Sequence, residues 1–357
     1  MIGQTAAAGR WLARLCALAL VAVAGALTVA APARAAVPDK FGFALWNGAS
    51  VVPAGTFPAA STVSVIIPGR YWVVFPGQGA KGGVVHVTAI NGSPHWCQLA
   101  SFGLTGGGAD EFAEVDCYKA GGAPDTSAFS IVFGSSSGPP ATPGGQFGYV
   151  DWSGPLGSKY NSAGGINTVT HLGVGVWEVR MPGLATPGPV DGSLQATAVN
   201  DLPARCKVGK WASTGAGQDI NVLCFDPTGN PRDTRFTLTF QYQRALYGGF
   251  SPPKYFGYLW NVPPLGPTST NYDNPLGPGV NTITPAGTGL SLVRFPMLAI
   301  LPDDIQVTAS GGNADFCGLN TLWAHVSGDT VVRDVNCFNN AGIPVDTGFL
   351  ISANSEF

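Results

Sequence analysis

The chain has 357 residues, with 18 Lys and Arg against 21 Asp and Glu, and a formal net charge of −3. Charged residues make up only 11% of it, without the clustered Lys and Arg of a nucleic-acid-binding surface, so no nucleic-acid partner is expected. Gly and Pro number 50 and 29, yet hydrophobic residues reach 45%, too many for a disordered chain. Frequent Gly and Pro turns between short β-rich runs predict an all-β protein.

Residues 1–35 have the three parts of a secretory signal peptide. Arg10 and Arg14 give a basic start, residues 15–30 are apolar, and Ala33-Arg-Ala35 is a small-residue cleavage site. The apolar stretch is shorter than the roughly 20 residues that a spanning helix needs. We therefore expect a secreted, extracellular protein from a Gram-positive-type cell, with no membrane span after the signal peptide is removed.

One pattern occurs three times in the rest of the chain. It opens with an aromatic-Gly-aromatic triplet and a nearby Trp, continues through a Thr/Val/Ile run and a Gly-initiated alternating strand that ends at Pro, and closes with two cysteines. The pattern predicts three β-repeats over residues 36–134, 147–245 and 256–357. Residues 135–146, rich in Gly, Ser and Pro, and the shorter segment 246–255 are expected to be linkers, giving three beads with some freedom between them.

Each repeat is expected to be a small antiparallel β-sandwich or barrel. Repeat two contains about seven short strands, with turn signals every 8 to 12 residues or so. An even number of cysteines in an exported chain indicates disulfides, and each repeat carries its own pair at nearly the same spacing. The expected intradomain disulfides are Cys97–Cys117, Cys206–Cys224 and Cys317–Cys337. Because CxxC is absent and the histidines do not recur, no metal and no other cofactor is expected.

The repeat motifs resemble those of a group of uncharacterised, secreted tandem β-repeat proteins of actinobacterial type. Their units read NTVTxxGxGxYxVxxPG, then VxVTAxG, CKVxxW and VxVxCFDxxGxPxDxxFxVxF. Repeat two matches at residues 167–170, 173–183, 194–199, 206–211 and 222–240. The resemblance implies secretion and β-structure and brings no catalytic residues.

A carboxylate recurs after a Pro in each repeat, at Asp125, Asp233 and Asp346. Asp beside Gly and Pro forms turns by accepting backbone N–H bonds, so these residues are expected to be structural. The recurrent aromatic residues are expected to fill the cores; they are Trp46, Trp152, Trp260, Phe102, Trp211 and Trp323.

Three further tryptophans are candidates for stacking on a ligand at the surface. Trp72 and Trp177 occupy a strand whose counterpart in repeat three carries Leu292, and Trp96 has no aromatic equivalent in the other repeats. They are the ligand-binding candidates for a polysaccharide or another cell-surface ligand.

Repeat one also has an acidic patch, formed by Asp110, Glu111, Glu114 and Asp116. Paired carboxylates are what glycoside hydrolysis needs, and charges also protect a sheet edge from further pairing. If the two cysteine strands pair, His95 could approach this patch. These five residues are weak candidates for a catalytic site.

The sequence favours a secreted, non-catalytic protein that binds glycan or cell-surface material through repeated domains, because no reactive group recurs. Three weak sites would gain avidity through effective concentration. The first alternative is a polysaccharide-degrading enzyme, a glycosidase or a lyase, with its active site in one repeat. The second is a structural extracellular or coat protein. The oligomeric state does not follow from the sequence.

Overall fold

The protein is built from β-strands, as the sequence predicts. The computed structural model describes residues 39–138, 145–153, 156–250, 252–263 and 266–357, so the expected signal peptide and part of the expected 135–146 linker lie outside the described residues. The described residues contain no α-helix and one short 3-10 turn, Pro53–Gly55. Strands form here because the runs are rich in β-branched and aromatic residues and are bounded by Gly, Pro and Asp.

Repeat one forms β1 (Lys40–Trp46), β2 (Thr62–Ile67), β3 (Arg70–Phe75), β4 (Val84–Ile90), β5 (His95–Leu104), β6 (Glu111–Lys119) and β7 (Ala128–Ser135). Repeat two forms β8 (Gln146–Trp152), β9 (Leu156–Asn161), β10 (Thr168–Gly173), β11 (Val176–Pro182), β12 (Ser193–Val199), β13 (Arg205–Thr214), β14 (Gly217–Phe225) and β15 (Arg235–Tyr242). Repeat three forms β16 (Phe256–Val262), β17 (Gly266–Asp273), β18 (Gly277–Pro278), β19 (Thr282–Gly287), β20 (Leu290–Phe295), β21 (Asp303–Ser310), β22 (Phe316–Leu319), β23 (Ala324–Val326), β24 (Asp329–Phe338) and β25 (Gly348–Ser355).

Within each repeat, two half-sheets pack face to face around an apolar core. In repeat one, β1, β7 and β4 form one half-sheet, and β2, β3, β6 and β5 form the other. Val85 and Val87 of the first half-sheet belong to the same buried cluster as Val73 and Phe75 of the second. Repeats two and three have equivalent cores.

The three expected disulfides are confirmed. Each joins neighbouring antiparallel strands with a Cα–Cα distance of 4.1 Å.

The sheets continue across the repeat boundaries. Their strand orders are β1-β7-β4-β22-β24-β20-β19, β2-β3-β6-β5-β12-β15-β8-β9 and β10-β11-β14-β13-β21-β25-β16-β17-β18. One parallel residue pair joins two repeats at each junction: Ile90 with Leu319, Leu99 with Val199, and Val208 with Ser310. Since the junctions link the three repeats in a closed ring, the expectation of three beads with freedom between them is wrong.

The expected linker 246–255 is also built into the structure. Leu246 and Tyr247 are 1% exposed, in an apolar cluster with Phe43 of repeat one and Phe256 of repeat three. The Tyr247 ring stacks on Phe41 with a centroid distance of 4.2 Å. The segment contacts both neighbouring repeats, because its aromatic and aliphatic side chains cover apolar surface at the end of the ring.

The strands β4, β12 and β21, here called the central strands, are buried on both faces. One face of each belongs to the core of its own repeat, and the other faces the other two repeats. That second face is polar, and we call it the central polar core: His86, Thr88, Gln195, Thr197, Gln306 and Thr308. Hydrogen bonds across the repeats satisfy it; His86 Nε2, for example, lies 2.7 Å from Thr239 Oγ1 of repeat two.

The Thr88 hydroxyl links repeat one to repeat three. It donates to Gln306 Oε1 at 2.8 Å and accepts from the Val307 N–H at 2.9 Å. Thr88→Val leaves both buried groups without this partner, so we expect the free energy of unfolding to fall by about 1–3 kcal/mol. The matched control, Thr62→Val on an exposed strand position, should change it by less than about 0.5 kcal/mol. Urea unfolding measures both; equal small effects would contradict the assigned role of Thr88.

Candidate functional site

An open groove of about 530 Å³ lies where repeats two and three share a sheet. Strand β13 stays paired with β14 along its length, but its other edge pairs with β21 at Val208 and Ser310 and at no other described pair, so the sheet opens on that side beyond them. The ladder between β13 and β14 also shifts register between Val208 and Lys210, which turns the strand at this point. We call this feature the junction groove; Glu178, Lys210, Trp211, Asn221 and Trp260 are among its lining residues.

Two indole rings form the apolar part of the junction groove. The centroids of Trp211 and Trp260 are 5.8 Å apart, with the ring planes tilted by 48°. Trp211 is 8% exposed, and Trp260 is half-buried. Their indole N–H groups donate to Gln218 Oε1 at 2.6 Å and to Ser310 Oγ at 2.9 Å. These bonds hold both rings in place, and the partly exposed Trp260, backed by the buried Trp211, gives the groove a preformed aromatic surface.

The polar side of the junction groove is one row of residues across three strands. Glu178 pairs with Asn221, and Asn221 pairs with Lys210, so the three side chains share the outer face of the sheet. In the next row, Arg180 Nε lies 3.0 Å from Glu178 Oε2 and 3.6 Å from Asp219 Oδ1. Because neighbouring residues of a strand point to opposite faces, this polar row borders the groove from the outer face, while Trp211 lies on the core side of the same strand.

The other two junctions have the recurrent aromatic residues in different surroundings. Trp46 and Trp323 are 6% and 8% exposed and belong to cores. Phe102 takes the place of Trp211 at the junction of repeats one and two, and Trp152 there packs on Trp177 at 5.2 Å between centroids. Trp260 departs from the expectation that the recurrent aromatic residues fill cores, because it is partly exposed and lines a groove.

Of the three tryptophans expected to bind ligand, Trp72 lies partly exposed on the outer face of repeat one, stacked on Phe112 at 4.3 Å. Trp96 is 4% exposed and donates its indole N–H to the Ala204 carbonyl at 3.1 Å. Trp177 is 8% exposed beneath His171 and Trp152. Trp96 and Trp177 are thus buried, because the junction with repeat two and a neighbouring strand cover them.

The acidic patch does not converge on one site. Asp116 accepts two hydrogen bonds of 2.7 Å from the Arg70 guanidinium, and Glu114 lies 3.5 Å from the same group. Asp110 accepts from the Gly77 N–H at 2.8 Å, and Glu111 accepts from the Ala80 N–H at 3.3 Å. Two of the acids are thus ion-paired, and the other two hold a loop.

His95 does not approach the acidic patch at Glu111, contrary to expectation. The cysteine strands do pair, but His95 lies opposite Lys119, while Glu111 lies opposite Leu104 at the far end of the ladder. His95 Nε2 instead contacts Asp125 Oδ2 at 3.3 Å. Antiparallel pairing places residues early in one strand against residues late in the next, and this separates the histidine from Glu111.

The recurrent aspartates lie at turns. Asp233 and Asp346 each accept a hydrogen bond of 2.7 Å from a turn glycine, Gly175 and Gly289 respectively. These glycines have φ values of +67° and +70°, and a Cβ there would lie within 2.6 Å of backbone atoms. In repeat one, Asp125 accepts from the Thr126 N–H at 2.8 Å.

Across the described ranges, no three His, Cys, Asp or Glu side chains are grouped so that they could hold a metal ion. Nor does any helix of that part of the chain have the length and apolar character needed to cross a membrane.

The sequence did not single out Glu178, Lys210 and Asn221 as candidate site residues, because they do not recur in the other repeats and share a face only through strand register.

Comparison with protein-family models, curated proteins and solved structures finds no match to this chain.

Glu111, a candidate catalytic acid, is 1% exposed, and burial raises its pKa from 4.5 to about 8. The folded protein therefore binds more protons than the unfolded chain between these values, so stability falls as pH rises from 5 to 8. Gln does not titrate. Glu111→Gln should make this decline shallower by up to about 1.4 kcal/mol per pH unit.

Urea unfolding at four pH values between 5 and 8 measures this slope. Glu114→Gln, on the same strand but beside Arg70, is the matched control and should not flatten it. A slope for Glu111→Gln equal to that of the unmodified protein would contradict the buried-acid assignment.

Proposed function

We propose that the protein is a secreted, non-catalytic binding protein that recognises polysaccharide or cell-surface glycan in the junction groove. The observation that carries the proposal is the partly exposed, fixed indole of Trp260 in an open groove that Glu178, Asn221 and Lys210 border from the outer face of the sheet. Apolar ring faces pack on the C–H faces of sugars, while a few placed polar groups bind hydroxyls. The volume of about 530 Å³ lies in the usual range of ligand sites, roughly 300–1,000 Å³.

Secretion is part of the same proposal. A signal-like segment at 1–35 and three disulfides are what an exported protein carries. The expected avidity from three equal sites has less support, since the described residues form this groove at one junction. Trp72 stacks on Phe112 on the outer face of repeat one and does not line this groove.

The enzyme alternative rests on a different pair of carboxylates from the one expected. Glu178 and Asp219 both line the junction groove and share Arg180 as an ion-pair partner. Two carboxylates at a sugar site are the minimum for glycoside hydrolysis. Both carboxylates are engaged in ion pairs with Arg180, so neither is free to act on a sugar, and the pair supports hydrolysis less than it supports binding.

Trp260→Ala should weaken glycan binding at least tenfold, equivalent to about 1.4 kcal/mol, because it removes the exposed stacking face of the groove. Binding is measured as depletion of the purified mature protein from solution by a panel of insoluble polysaccharides, including cell wall from its own source. Asn221→Ala removes a hydrogen-bonding group with little risk to folding and should also weaken binding.

Trp72→Ala is the matched control, since it removes another partly exposed Trp, on the outer face of repeat one and outside the junction groove. Loss of binding in Trp72→Ala but not in Trp260→Ala would move the site to repeat one. Full binding by both variants and by Asn221→Ala would overturn the proposal. Self-association without any ligand would instead support the structural-protein alternative.

The same incubations should release no soluble sugar. Glu178→Gln should therefore change the amount of bound polysaccharide and leave product at the background level, measured as reducing ends and as unsaturated uronic acid. Product that disappears in Glu178→Gln or Asp219→Asn, but persists in Glu114→Gln, would establish the enzyme alternative.

A further inference from the structure

A cavity of about 50 Å³ lies next to the central polar core, where the first cysteine strands of all three repeats meet. Residues from every repeat line it, among them Trp96, Thr197 and Phe316. A water molecule needs roughly 10–15 Å³ of such space, so the cavity has room for a few waters or one small ion. It is separate from the junction groove.

Two cationic side chains of repeat two line this cavity. Arg205 and Lys207 flank Cys206 on β13, so they project from the same face of the strand. Arg205 is 7% exposed and Lys207 is 3% exposed. Burial lowers the pKa of Arg205 to about 10 and that of Lys207 to about 8.

The hydrogen bonds of the two cations go to neutral acceptors. Lys207 Nζ donates to the Asn313 and Asp315 carbonyls at 2.9 and 3.2 Å. Arg205 Nη2 donates to the Asp226 carbonyl at 3.3 Å and to Asn340 Oδ1. Arg205 Nε and Nη1 are buried and have no hydrogen-bond partner among the described residues.

Within the described ranges, no carboxylate oxygen lies within 4.0 Å of a nitrogen of Arg205 or Lys207. Asp315, which also lines the cavity, favours the charged forms of both cations from beyond that distance, and Asp226 does the same for Arg205. Burying a charge is costly unless a counter-charge and hydrogen bonds compensate it. Since no carboxylate contacts the guanidinium, its buried Nε and Nη1 hydrogens are left without an acceptor among the described residues.

The aromatic neighbours orient the guanidinium. Its central carbon lies 4.8 Å from the Trp96 ring centroid and 4.6 Å from that of Phe316. These rings stabilise the cation through their faces and leave the in-plane N–H groups unused. Trp96 and Phe316 hold the positions before the first cysteine in repeats one and three, so the expectation that Trp96 has no aromatic equivalent is wrong. The repeat pattern itself would place an aromatic residue where Arg205 stands.

We propose that this cavity is a binding site for one small monovalent anion, such as a halide, nitrate or formate, held by Arg205 and Lys207. The anion accepts from the unused guanidinium N–H groups and adds a negative charge in direct contact with the cations. Because the cavity is formed by all three repeats, the bound anion stabilises the closed ring. The cavity volume excludes larger organic acids.

Thermal unfolding of the full mature chain tests the site, with bromide, nitrate or formate titrated against methanesulfonate at constant ionic strength. We expect the unfolding midpoint to rise saturably with the small anions, since a ligand that binds only the folded state stabilises it. The rise should be lost in Arg205→Phe, which places the aromatic residue type of the other repeats there, and reduced in Lys207→Met. Arg180→Met, at an exposed Arg of the same repeat, should retain it.

A rise that is equal in Arg205→Phe, or absent from the unmodified protein, would overturn the proposal. Crystals of the unmodified protein soaked in sodium bromide give an answer that does not depend on how the variants fold. An anomalous peak within hydrogen-bonding distance of Arg205 Nε or Nη1 supports the site, and bromide found only on the outer surface refutes it.

Discussion

The arrangement of the three repeats depends on the hydrogen bonds between their central strands. Among the described residues, each junction has one parallel backbone pair, so backbone pairing alone cannot set the register. Behind it, the central polar core places His86, Thr88 and Gln306 against partners in other repeats. A buried polar group is costly when it has no hydrogen-bond partner. The packing of the repeats that pairs the groups of the central polar core is therefore strongly preferred over packings that shift one repeat against another. Polar contacts thus select the ring, while the three apolar cores supply most of the stabilising burial.

The sequence predicts what lies inside a repeat better than what lies between repeats. Alternation in 193–199 correctly indicates a strand, and the paired cysteines correctly indicate the disulfides, because strand period and cysteine spacing are local. The polar face of this strand reads as solvent-exposed, yet it faces the other repeats. One feature of the sequence indicated this burial. In all three repeats, this face of the central strand carries Gln, Thr or His at its centre and no Lys, Arg or Glu.

The candidate site also could not be predicted from the sequence of one repeat, because it lies between two repeats. The junction groove combines Glu178, Lys210 and Asn221 of repeat two with Trp260 of repeat three, residues that meet only because the two repeats share a sheet. Comparing repeats with one another draws attention to what recurs, and what recurs here holds turns and cores. Features that occur once, such as the groove and the Arg205 cavity, lie at junctions, where the symmetry of the repeats is broken.

The central claim, that the repeats form one shared structure, is tested most directly by differential scanning calorimetry of the full mature chain. Sheets that cross every repeat boundary predict a single transition in which the calorimetric and van't Hoff enthalpies agree. The transition should keep its shape at several scan rates. Three separable transitions, or a van't Hoff enthalpy near one third of the calorimetric value, would show that the repeats unfold independently and would contradict this account.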